Sequence, residues 1–138
     1  RDAEKRAAMA STFKFELVTP ERMAVSEEAA QVIVPGAEGE FTVLAGHSPV
    51  VSTLRPGILD ATLANSKRVR LFVKDGFAEC DTGHLTILAE RAIDVEALTG
   101  ATLTAEIERA ESELAAATDD TARLAASSAV MQLKALQR

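Results

Sequence analysis

The chain has one cysteine, no tryptophan, no tyrosine and five phenylalanines in 138 residues. A single thiol, Cys80, excludes an internal disulfide framework and fits a reducing compartment. The absence of Trp and Tyr argues against a carbohydrate module, which stacks sugars on a face of exposed aromatic rings. No apolar run approaches the ~18 residues of a membrane-spanning helix. Residues 1–10 are charged and alanine-rich and lack the apolar stretch of a secretory signal, and Met9 is a candidate natural start. Cations are in deficit: the formal charge is −6, which excludes a broad basic footprint for nucleic acid.

Glycine, proline and aromatic residues are all missing from residues 101–138, which are rich in Ala, Leu and Glu, all helix formers. Every proline and every phenylalanine lies before residue 78. The chain therefore divides into a turn-rich first part and a helical second part, with the boundary near Asp94–Thr102. The expected organisation is an N-terminal extension at 1–11, poorly ordered, a β domain at 12–94 and a helical hairpin at 95–138.

The first part reads as short strands. Phe13, Phe15 and Leu17 alternate with Lys14 and Glu16, the period of a half-buried strand. Gln31–Val34 and Phe41–Leu44 are short β-rich runs, stopped by Pro35-Gly36 and Gly46. Arg55-Pro56-Gly57 fits a type II turn, and Asp75-Gly76 and Thr82-Gly83 fit further tight turns. Residues 58–63 and 68–74 flank a hairpin link at 64–67. Turn signals every 8–12 residues predict an antiparallel sandwich or barrel, not βαβ units.

In the second part, Leu103, Ile107, Ala110, Leu114 and Ala117 form one helical stripe, with Thr102 as a candidate N-cap. Thr118-Asp119-Asp120 interrupts the pattern, and either aspartate can cap the next helix. That helix has one stripe of Leu124, Ser128, Met131 and Ala135, beside a broader face of Ala122, Ala126, Ala129, Leu133 and Leu136. A three-residue link predicts an antiparallel helical hairpin. Two alanine-rich helices are marginal alone, so this hairpin needs another surface to pack on.

Chemical motifs fail on inspection. Gly46-His47-Ser48-Pro49-Val50 lacks the second glycine of a nucleophile elbow, and adjacent residues on an extended chain point apart. Gly36-Ala37-Glu38-Gly39 lacks the Lys-Ser/Thr ending of a phosphate loop, and Glu38 and Glu40 would repel phosphate. It reads as a hairpin with an acidic tip, suited to docking. Cys80, Asp81 and His84 offer only two typical zinc-ligand types, and His47 is 37 residues from His84. Lys67, Arg68 and Arg70 form a basic cluster, read as a solvated face or a contact for an acidic partner. Glu106, Glu108, Glu111 and Glu113, with Arg109, read as a solvated helix face. No catalytic pair, metal set or cofactor site survives, which leaves a β-sandwich with a helical tail acting as an interaction protein.

The ordered set of turns resembles one family. It comprises Phe15-Glu16-Leu17-Val18-Thr19-Pro20-Glu21-Arg22, then residues 34–44 (VPGAEGEFTVL), Gly46-His47-Ser48-Pro49, Leu54-Arg55-Pro56-Gly57, Gly76-Phe77 and residues 86–92 (TILAERA). In this order the segments are similar to the epsilon subunit of the bacterial rotary ATP synthase, the counterpart of the mitochondrial delta subunit. The resemblance implies a β-sandwich of about ten short antiparallel strands followed by a C-terminal antiparallel two-helix hairpin. It implies a non-catalytic central-stalk subunit that binds the gamma subunit and the c-ring and couples proton flow to ATP synthesis. It also implies a peripheral place on the cytoplasmic face of the bacterial inner membrane. The hairpin would be regulatory, able to extend toward the catalytic alpha/beta head. Glu38 and Glu40 match the family's acidic loop facing the c-ring, and His47 lies in the loop at the same stalk base. Some members bind ATP through Ile/Leu-Asp-x-x-Arg-Ala. Here Ile93 and Asp94 match, but Ala97 and Leu98 replace the arginine and the alanine. The motif cation that would meet phosphate is thus lost, and no cofactor is expected.

Overall fold

The computed structural model describes residues 11–137. The expected extension at 1–11 falls outside the described residues except for Ser11. Seven strands are described: β1 (Phe13–Val18), β2 (Met23–Gly36), β3 (Gly39–Leu44), β4 (Val50–Thr53), β5 (Gly57–Leu63), β6 (Arg68–Asp81) and β7 (His84–Asp94). A short 3-10 turn (Val95–Ala97) leads to two helices, α1 (Gly100–Ala116) and α2 (Asp120–Lys134).

The strands pair in the order β1-β7-β6-β5-β2-β3, and β1 also pairs with β2, so five of them close into a ring. Closure leaves these five strands without an open edge, while β3 and β4 each pair on one side only. β4 and β5 lie end to end along β6, with Thr53 opposite Phe77 and Gly57 opposite Val73. The architecture is the expected sandwich with a helical hairpin, but its strands are fewer and longer than about ten short ones. β2 and β6 run for 14 residues each. One pairing, β1 with β7, is parallel, Lys14 opposite His84 through Val18 opposite Leu88.

One expected turn is strand instead, which lengthens β6. Asp75-Gly76 lies inside β6, with Gly76 opposite Ala89. A Cβ on Gly76 would stand 1.7 Å from the Leu88 carbonyl oxygen, so this glycine permits close strand approach, not a reversal. Arg55-Pro56 stays outside the strands, in the link from β4 to β5, and Gly57 opens β5, where a Cβ would meet Pro35 Cβ at 3.0 Å. Other turns stand as read. Ala37-Glu38 links β2 to β3, Thr82-Gly83 links β6 to β7, and Asn65 Oδ1 accepts from Lys67 N–H at 2.9 Å in the β5–β6 link.

The core follows the alternation. β1 buries Phe13, Phe15 and Leu17 and half-exposes Lys14, Glu16 and Val18. Phe15, Leu17, Val32, Leu59, Leu85 and Ile87 are fully buried between the layers, each side chain stabilising by about 1.5–3 kcal/mol.

A second core joins the hairpin to the sandwich. Ile58, Phe72 and Ile93 are cross-strand partners on the outer face of β5, β6 and β7. Leu98, Leu103, Ile107, Ala110, Ala129 and Leu133 pack with them. On α1 the expected stripe buries Leu103, Ile107 and Ala110. The helix starts earlier than expected, after Thr99 rather than Thr102. On α2 the broader face is the buried one, through Ala126, Ala129 and Leu133, while Leu124 and Met131 remain 73% and 67% exposed. Ala129 and Leu133 join the second core, and Ala126 lines a cleft with Pro56 and Lys74 of the sandwich. Asp119 caps α2, its Oδ1 accepting from Ala122 N–H at 2.7 Å. Ser128 Oγ donates to the Pro56 carbonyl at 2.9 Å, a direct tie to the sandwich. Glu106 departs from its expected solvated face, being only 5% exposed beneath the helix.

Candidate functional site

Two contiguous surfaces on the sandwich stand out, one polar and one apolar. The polar one is at the loop end. The β2–β3 turn carries Glu38 at its tip, and Glu40 follows on β3; both are exposed. The loop after β3 returns His47 to this hairpin, where its ring lies 6.4 Å from the Phe41 ring, tilted 42°. Glu38, Glu40 and His47 thus line one open groove of about 550 Å³, floored by Phe41 and by β4 from Val50 to Thr53. The three residues singled out for an interface in the sequence are brought together.

The His47 ring does not serve a nucleophile. Its Nδ1 is 2.6 Å from the Ser48 backbone carbonyl, not from the Ser48 hydroxyl. A carbonyl only accepts, so Nδ1 is the donor in this contact. The fold also brings His47, His84, Cys80 and Asp81 around one narrow cleft of about 10 Å³, a proximity that the sequence separation concealed. Among the described residues no three His, Cys, Asp or Glu are grouped as metal ligands. Cys80 is buried, and burial, then the Asp81 charge, pushes its thiol up, away from the reactive thiolate.

The apolar surface runs across the sheet beside the groove. Val18 opposes Leu88, and Leu88 opposes Phe77, so β1, β7 and β6 align these side chains in one row. Met23, opposite Val18, continues it onto β2. Met23, Leu88 and Phe77 are 53%, 37% and 40% exposed. Val18, Phe77 and Leu88 line an open depression of about 390 Å³ with Pro20 and Glu90 at its rim. Val51 on β4 is 67% exposed opposite Glu79, two residues along β6 from Phe77, so β4 links the row to the polar groove. Large apolar side chains gathered at a surface mark an interaction site more than scattered ones do. The sequence reading missed this row. Its signal was broken alternation: Leu17-Val18, Phe77-Ala78 and Ile87-Leu88 each place apolar residues on both faces of a strand.

The remaining candidates are occupied locally. Arg68 makes a two-point pair with Asp60, at 3.1 Å and 2.5 Å, and Arg70 lies 4.0 Å from the same carboxylate. Ile93 packs against the second core, and Asp94 accepts from Glu96 N–H at 2.8 Å to cap the 3-10 turn. Ala97 is exposed and supplies no cation. Lys67, Arg68 and Arg70 border an open cleft of about 260 Å³ with Asp94 and Glu96, a mixed-charge wall and not a phosphate cradle.

Residues 12–95 match the family described as ATP synthase, Delta/Epsilon chain, beta-sandwich domain. The chain is 43% identical over 129 residues to an ATP synthase epsilon chain of Mesorhizobium japonicum, covering 94% of this chain and 96% of that protein. It is 40% identical over 129 residues to the epsilon chain of Parvibaculum lavamentivorans, covering 94% and 98%. Among solved structures, a chain of the Euglena gracilis mitochondrial ATP synthase, in an assembly that includes the c-ring, superimposes with a TM-score of 0.69. That match covers 91% of this chain and 79% of the other, at 26% identity.

Proposed function

The chain belongs to the ATP synthase delta/epsilon family, and from that premise we propose how its two surfaces serve in the rotor. It is a non-catalytic central-stalk subunit of ATP synthase. Residues 12–94 form the coupling domain. Its loop end, with Glu38, Glu40 and His47, meets the polar loops of the c-ring, and its apolar row of Met23, Val18, Leu88 and Phe77 meets the gamma subunit. Residues 95–138 form the regulatory hairpin, which reaches the alpha/beta head when it leaves the sandwich. The subunit holds its place at the cytoplasmic face of the inner membrane through these partners. Among the described residues no helix is long and apolar enough to cross a membrane.

The observation that carries this reading is the continuity of the two surfaces through β4. Torque passes between neighbours only through a body that does not deform, and a closed ring of strands with one packed core is such a body. The acidic tip gives register on the ring, whose polar loops the family resemblance implies to be basic, because complementary charge fixes orientation more than it adds affinity. The apolar row supplies area that loses water on docking. Asp94 remains a structural cap, and without an arginine at position 97 no nucleotide is assigned to it.

The test is charge reversal at the tip. Both side chains are solvent-exposed, so Glu38→Lys with Glu40→Lys changes stability by no more than about 0.5 kcal/mol. The expected outcome is a loss of ATP synthesis per proton translocated in membranes, at an unchanged melting temperature of the isolated chain. Coupling equal to that of the unaltered enzyme would remove the docking role of the groove.

A further inference from the structure

Lys74 on β6 and Arg91 on β7 are direct cross-strand partners. Two cations in that position repel, and a sheet does not keep such a pair without compensation. Lys74 is moreover buried, its side chain only 7% exposed. The compensation comes from outside the sheet. Glu113 on α1 accepts two hydrogen bonds from Lys74 Nζ, at 2.9 and 3.1 Å. Glu106, seven residues earlier on the same helix, pairs with Arg91 at two points, Nε to Oε2 at 3.1 Å and a closer contact from the terminal nitrogen to Oε1. Arg109 stands 3.9 Å from Glu106. Glu21, in the β1–β2 turn, adds its field at Arg91, and Asp75 lies beside Lys74 and Glu113 at the rim of a cleft lined by alanines of α2.

We infer that Lys74 and Arg91 form a two-cation socket on the sandwich whose occupant is the chain's own α1, read through the glutamates at 106 and 113. The socket sets where the hairpin sits and leaves it releasable. An apolar strip such as Ile58–Phe72–Ile93 attracts any amphipathic helix at several offsets along its axis. Two carboxylates seven residues apart, meeting two cations fixed side by side, select one offset. Release is built into the same pairs. Charges buried in the docked state regain water on undocking, so the pairs add specificity while adding little net affinity, and apolar groups of similar size would hold more tightly. The socket is a property of the free chain, while the use of its release rests on the regulatory role proposed above.

Amide hydrogen exchange on the full chain tests it, comparing α1 and α2 with the buried strands β2 and β5. Removing one carboxylate leaves a partly buried cation unpaired, so Glu106→Gln and Glu113→Gln are each expected to speed exchange of helix amides about tenfold with strand amides unchanged. Glu113 is 48% exposed, so Glu113→Gln keeps the fold and carries the test if Glu106→Gln does not. The paired change Lys74→Met with Glu113→Leu is expected to return helix exchange to the original rate or slower. Helix exchange unmoved by Glu113→Gln would overturn the socket. So would a double variant that exchanges as fast as its two single changes multiplied together, since independent effects show no coupling. Either result would leave the subunit's assignment to the central stalk untouched.

Discussion

Glu106 sits among Glu108, Glu111 and Glu113 on α1, and nothing in that run marks it as different from its neighbours. Its surroundings do. Burial alone would raise its carboxyl, but the Arg91 hydrogen bond, followed by the charges of Arg91, Arg109 and Lys74, outweighs burial and holds it below the ordinary value of 4.5. Arg91 moves the other way, raised first by the Glu106 hydrogen bond, and stays charged throughout. A carboxyl lowered in the docked state contributes stability that is complete above its undocked value and lost as pH falls through its docked value. Docking is therefore expected to be constant from about pH 7 to 5 and to weaken below about 4.5. In a pH series of exchange measurements the amides of α1 should lose protection before those of β5. Equal protection of α1 down to about pH 3 would contradict the ion pair's role.

At the scale of elements, the hairpin and the sandwich are legible to different degrees. The helices were readable because the 3.6 period of Leu103, Ile107 and Ala110 survives in the buried face. The choice between the two faces of α2 was not readable, because Leu124 and Met131 are larger and more apolar than the alanines that pack. Packing against α1 and the sandwich decided it, through contacts distant in sequence. Strands were readable wherever one face is buried, as in β1. Asp75-Gly76 misled because a glycine needed for close strand approach looks the same in sequence as one needed for a turn. The acidic groove was legible through its turn residues and through the family resemblance. The apolar row and the Lys74–Arg91 pair were not, since both depend on register between strands distant in sequence. A chain ending at Asp94 retains every described strand and the apolar row. It should remain folded and bind the gamma subunit within about a factor of three of the full chain. Exposure of Phe72 with Ile58 and Ile93 should show as self-association at high concentration. Loss of gamma binding in the soluble monomer would refute the separation between a coupling domain and a regulatory hairpin.

Taken whole, the molecule is a closed strand ring with a polar groove at one end, an apolar row beside it and a hairpin docked over Phe72. Nothing in this plan requires chemistry at any side chain; what it requires is that the two outward surfaces keep their relative position under load. Cys80, buried and with its thiol pushed up, leaves the surface clear for introduced cysteines. The direct measurement is cross-linking in energised membranes from Glu38→Cys and, separately, from Phe77→Cys. The account predicts that position 38 links to the c-ring, that position 77 links to gamma, and that ATP synthesis continues in both cross-linked enzymes, because the joined parts turn together. A link from either position to a stationary subunit, with rotation and synthesis arrested, would contradict it.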